Sequence, residues 1–114
     1  MKRLAWLVAA IFWMGVIWWL SDQPNLSSGL ASDLWLRKAA HVFEFAFLTF
    51  LLIKTFGGGM RGVGLAVIFA ISYAVLDEWH QTWVLGRSGN ARDVMIDSIG
   101  VLITAVLAVT KKRA

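Results

Sequence analysis

The chain has no cysteine, one proline, one tyrosine, two histidines and only seven acidic residues among its 114. Without cysteine there is no disulfide framework and no thiolate zinc site. Charged residues make up only 16% of the chain, against 59% hydrophobic. A soluble domain of this size cannot cover so much apolar surface. A polytopic membrane protein can, because lipid replaces water around its outer faces. There is no HExxH pattern and no nucleophilic serine elbow, so no standard hydrolase class is indicated. The glycine-rich stretch from Gly57 to Gly64 follows no strand and leads to no P-loop lysine. Repeats and low-complexity segments are also missing. The net charge of +4 would point to nucleic acid in a soluble chain. Here the bases cluster at the ends of apolar runs, where the positive-inside rule accounts for them and no nucleic-acid partner is expected.

Four apolar runs remain: Leu4 to Leu20, about Leu34 to Ile53, Val63 to Leu76, and Val94 to Val109. A membrane-crossing helix needs about 20 residues, which each run reaches once flanking residues join it. The expected fold is all-α: a polytopic membrane protein forming a compact four-transmembrane-helix bundle. It is a single domain over 1–114, with helices at about 4–20, 34–54, 63–80 and 93–110. The first run follows Met1-Lys2-Arg3 in the manner of a signal peptide. It is too long for one and no small-x-small cleavage site follows, so it reads as a retained helix.

The connections differ in character. Pro24 ends the first helix, since the residue before a proline disfavours helix. Ser32 or Asp33 is placed to cap the second. Phe56 to Gly64 reads as a flexible glycine-rich turn. In the third connection Gly86 and Gly89 bracket Arg87 in a tight turn.

The few acids are not scattered. Asp22, Asp33 and Glu44, with His41, lie in the first connection or just inside the span after it. Asp77, Glu78, Asp93 and Asp97, with His80, lie in the third connection or a turn into the last span. The other ends hold only bases. Lys2, Arg3, Lys54, Arg61, Lys111, Lys112 and Arg113 make seven on one side, against Arg37, Lys38, Arg87 and Arg92 on the other. By the positive-inside rule both termini are cytoplasmic and the acid/histidine groups face the extracytoplasmic side of the cell membrane. Trp18, Trp19, Trp35, Trp79 and Trp83 fall at that same outer interface, where indoles settle.

Helical spacing gathers these groups. Lys38, His41 and Glu44 are three apart; Tyr73, Asp77 and Gln81 are four apart; Asp93, Asp97 and Gly100 line one face. The expected result is an outward-opening polar cavity beneath Arg87. His41, Glu44 and Asp77 are the candidate acid/base groups or metal ligands. Lys38, Gln81, Arg87, Asp93 and Asp97 are the candidate substrate-binding groups. Glu44 and Asp97 lie more than a turn inside a span, where an ionised side chain needs water or a partner. Bland alternatives stand beside these roles. Glu44 pairs with Lys38 or Arg87 to pin helices, His41 is a hydrogen-bonded core histidine, and Asp97 with Gly100 marks a close packing contact. Glu78 reads as a solvated helix-end group, His80 as a surface group among the headgroups, and the tryptophan-rich first helix as interfacial anchoring.

Three functions compete: acid/base or divalent-cation chemistry on a lipid-linked substrate, recognition of such a lipid without chemistry, and ion-coupled transport, which would need an oligomer. A structural protein with an internal salt-bridge network is the alternative to all three.

The pattern resembles the VanZ-like family of small membrane proteins from about Ser21 to Gly100. The shared elements are Ser21-x-Gln23-Pro24, Lys38-x-x-His41-x-x-Glu44-Phe45, Asp77-Glu78-x-His80-Gln81, Gly86-Arg87-Ser88-Gly89 and Asp93-x-x-x-Asp97-x-x-Gly100. Two positions depart from it: the family commonly has Tyr at Phe45 and Asn at Asp97. The resemblance implies a cell-envelope role linked to glycopeptide (teicoplanin) resistance, with an anionic lipid or lipid-linked wall precursor as ligand. It assigns no reaction.

Overall fold

Four helices follow one another: α1 (Lys2–Ser21), α2 (Ala31–Phe56), α3 (Met60–Gln81) and α4 (Ala91–Arg113). The computed structural model describes the backbone of residues 2–21, 31–83 and 91–113, and the side chains of 2–20, 38–83 and 94–111. No strand occurs among the described residues. Each helix contains a stretch long and apolar enough to cross a bilayer: Lys2–Leu20, Lys38–Phe56, Met60–Gln81 and Val94–Lys111.

Two local features differ from expectation. α2 begins at Ala31, so Ser32 and Asp33 lie in its first turn rather than ahead of it. The sequence has no proline from Ala31 onward. The second connection is also tighter than a loop from Phe56 to Gly64. α2 runs to Phe56 and α3 starts at Met60, leaving Gly57, Gly58 and Gly59 between them. Gly57 takes a φ of 111°, a region that side chains avoid, and its amide donates to the Ile53 carbonyl at 2.7 Å. Pro24 and the expected Gly86–Gly89 turn lie outside the described residues.

α4 lies against α2 and α3, and α1 packs on α2 and touches α3. The interior mixes large side chains such as Phe45, Ile17 and Leu48 with small ones, including Ala66, Ala70 and Ala74 along α3 and Ala105 on α4. Lipid gives helices no hydrophobic reason to associate, so close backbone approach through small residues must supply the packing. The α2–α4 seam shows it at one point. A Cβ at Gly100 would overlap the Val42 carbonyl oxygen and lie 3.2 Å from the Ala46 nitrogen. One turn on, the Thr104 hydroxyl donates to the Ala46 carbonyl across the seam at 3.3 Å and to its own Gly100 carbonyl at 2.9 Å.

The outer faces are apolar. Phe12, Ile68, Met95 and Leu107 are each more than half exposed. In water such a surface would drive aggregation. In a bilayer it is the ordinary lipid contact, and the protein is a multi-pass membrane protein.

Candidate functional site

Gly100 sets the position of the site. Because α4 touches the α2 backbone at Val42 and Ala46, the residue one turn earlier on α4 is carried against the residue beside Val42. Asp97 and His41 therefore meet: Oδ1 of Asp97 lies 3.4 Å from Nδ1 of His41. The same nitrogen is 3.7 Å from Oε2 of Glu44, three residues along α2. Asp77 enters from α3. One ligand atom each from His41, Asp77 and Asp97 fall within 4.8 Å of one another. Gln81, one turn beyond Asp77, donates its amide Nε2 to Asp77 Oδ2 at 3.2 Å.

The cluster is deep. Asp77 is 0% exposed and Asp97 1%, and Glu44 and Gln81 are also buried. An ionised side chain inside a span is costly unless it meets water or a partner, and like charges this close add to that. Three carboxylates beside one imidazole therefore require compensating positive charge, from protons, from a bound cation or from basic side chains. Lys38, one turn before His41, is half-buried. Asp93 lies in the first turn of α4, but its side chain, like all of Arg87, is outside the described residues. The structure thus brings His41, Glu44, Asp77, Gln81 and Asp97 together, with Lys38 a turn away along α2.

Helix α1 braces this end of the bundle. The Trp13 indole N–H donates to the Glu44 carbonyl at 2.9 Å. The Tyr73 hydroxyl donates to the Met14 carbonyl at 2.6 Å. Trp18 stacks flat on His80, with ring centroids 3.8 Å apart and planes 9° from parallel. Three expectations change here. Glu78 and His80 are not solvated end groups: both are buried, His80 beneath Trp18 of α1. Trp13 and Trp18 are packed into the bundle, whereas Trp19, Trp79 and Trp83 are exposed as an interfacial belt would be. The signal was present in the sequence, since Tyr73, Asp77 and His80 recur at four and three on one helical face.

The sequence model of the VanZ/LLP1 family matches residues 6–112. An uncharacterised membrane protein of Bacillus subtilis (strain 168), YwnJ, is 31% identical over 99 residues, covering 80% of this chain and 67% of that protein. No solved structure matches. With the family match running through all four helices, this chain belongs to the VanZ/LLP1 family.

Proposed function

We propose that the cluster is an extracytoplasmic binding site for the anionic headgroup of an envelope lipid or lipid-linked wall precursor. A divalent cation is the bridge. Held by His41, Asp77 and Asp97, it would neutralise the carboxylates and present positive charge to a phosphate or carboxylate of the ligand. Glu44 would complete the charge balance beside His41, and Gln81 would orient Asp77. Lys38 and Arg87 would add direct contacts to the anion. Both termini would then be cytoplasmic, since the seven-base ends lie opposite the acid-bearing ends.

One observation carries this reading: a histidine and two carboxylates from three different helices, two of them fully buried, with ligand atoms within 4.8 Å. An anion alone would be repelled by such a group, and a cation removes the conflict. An outer-leaflet ligand also agrees with the teicoplanin link that the family resemblance implies. If turnover accompanies binding, His41 and Glu44 are the acid/base pair.

A second reading has its own support. The contacts of His41 with Glu44 and Asp97 and of Gln81 with Asp77 also describe an internal polar network that pins three helices. Native mass spectrometry of protein gently extracted from its own membrane separates the two. Wild type is measured beside Arg87→Ala. An anionic lipid adduct present in wild type and lost in the variant supports binding. Bare protein in both, with the variant less stable, supports the network.

A further inference from the structure

The opposite end of the α2–α4 seam holds a second feature. Past the tight contact at Gly100 and Thr104, a groove of about 740 Å³ runs along the seam to the Gly57–Gly58 turn. That volume lies within the roughly 300–1,000 Å³ of small-molecule sites. One wall is an aromatic ladder on α2. Phe43, Phe47 and Phe50 stack with successive centroids 6.2 Å apart, their planes within 14° of parallel. Trp13 and Trp6 of α1 brace the ladder edge-on against Phe47 and Phe50. The other wall is α4, where Leu107 and Ala108 face the groove.

The end of this apolar groove at the Gly57–Gly58 turn is cationic. Lys54 and Lys111 both line it. The Lys54 ammonium sits 5.9 Å from the Trp6 ring centroid and 5.7 Å from that of Phe50, at the foot of the ladder. The Arg3 guanidinium reaches the same corner, since a Cβ at Gly57 would be 3.3 Å from its nitrogen. No acid lies in this part of the sequence: none occurs from Met1 to Ser21, from Phe45 to Leu76, or after Asp97. Three bases from three segments thus converge beside an apolar slot at the end of the spans, without an acidic neighbour in sequence.

We propose that this groove is a site for a phospholipid with an anionic headgroup. An acyl chain would lie along the Phe43–Phe47–Phe50 ladder, and the phosphate would meet Lys54, Lys111 and Arg3. Charge complementarity selects this occupant. A second copy of the chain would set the same bases against each other, and a neutral lipid would leave them with water alone. The pre-stacked ladder lowers the ordering cost of binding. Its basic end, at Lys54, Lys111 and Arg3, lies about three turns of α2 from the His41 cluster, and the proposal does not depend on that cluster's function.

The test uses delipidated full-length protein in detergent, titrated with phosphatidylglycerol or phosphatidylcholine and followed by native mass spectrometry. Wild type should bind phosphatidylglycerol about tenfold or more tighter than phosphatidylcholine. Lys54→Gln with Lys111→Gln should erase that preference; both lysines are exposed, so the fold is retained. Ala108→Trp, which fills the groove, should weaken both lipids. The proposal is overturned by equal binding of the two lipids to wild type, by an unchanged preference in the double lysine variant, or by a dimer that Ala108→Trp dissociates.

Discussion

Gly100 on α4 and Val42 on α2 are in backbone contact: the space a Cβ would occupy at residue 100 is taken by the Val42 carbonyl. This contact decides where Asp97 lies and hence whether His41 has a carboxylate on α4 as a neighbour. Replacing Gly100 by alanine must therefore move a helix backbone. Overpacking of this kind costs about 1–3 kcal/mol. Gly100→Ala should lower the melting temperature in detergent and also weaken any ligand of the cluster. Unchanged stability would mean that the seam tolerates separation.

The bond from Tyr73 to the Met14 carbonyl links α1 to α3 just below the cluster. Hydrogen bonds between helices in a membrane are worth about 0.6 kcal/mol on average. Tyr73→Phe should cost about that much in an unfolding assay and leave cluster binding intact. A complete loss of binding would show that the hydroxyl acts on the ligand.

Trp18 and His80 form a separate clamp by stacking. Trp18→Ala opens the end of α3 that α1 covers. Protease sensitivity or hydrogen exchange near His80 should rise, with a stability loss of about 3 kcal/mol or more. Trp18→Phe keeps a ring face and should recover part of it. Equal behaviour of the two variants would argue against stacking.

The membrane orientation is tested by a reporter fused after Ala114. With seven bases at one set of helix ends and four at the other, the reporter should read cytoplasmic. An extracytoplasmic signal would place the acidic cluster on the cytoplasmic side and remove an outer-leaflet ligand.

Much of this is legible in the sequence, for identifiable reasons. Four long apolar runs have one physical solution, helices that satisfy their own backbone in lipid. Glu44 and Asp97 stand out because each interrupts such a run, and Gly100 because it follows Asp97 on the same face. Periodicity gives a face but not the partner it meets. The pairing of Asp97 with His41 depends on one glycine contact between helices distant in sequence. Glu78 and His80 are misjudged for the same reason, since burial depends on which helices pack around them; for His80 the cover is Trp18 of α1. The glycine-rich turn is overestimated in length because Gly62 and Gly64, poor helix formers, are drawn into α3.

Asp97→Asn separates shape from charge. Asparagine matches aspartate in size, so the fold should persist, while one carboxylate of the His41, Asp77 and Asp97 group is lost. Divalent-cation content, measured by elemental analysis of purified protein, should fall from about one per chain toward none. Retention of the metal would assign it elsewhere.

The most direct measurement is the melting temperature of wild type and Asp97→Asn, each with and without a chelator, in the detergent used for extraction. A cation that binds only the folded protein stabilises it by about 2.7 kcal/mol at a hundredfold excess over Kd. If His41, Asp77 and Asp97 hold such an ion, chelation should lower the melting temperature of wild type and leave the variant unmoved. If the cluster is only an internal network, wild type should melt at the same temperature with or without chelator, and that result would contradict the cation site.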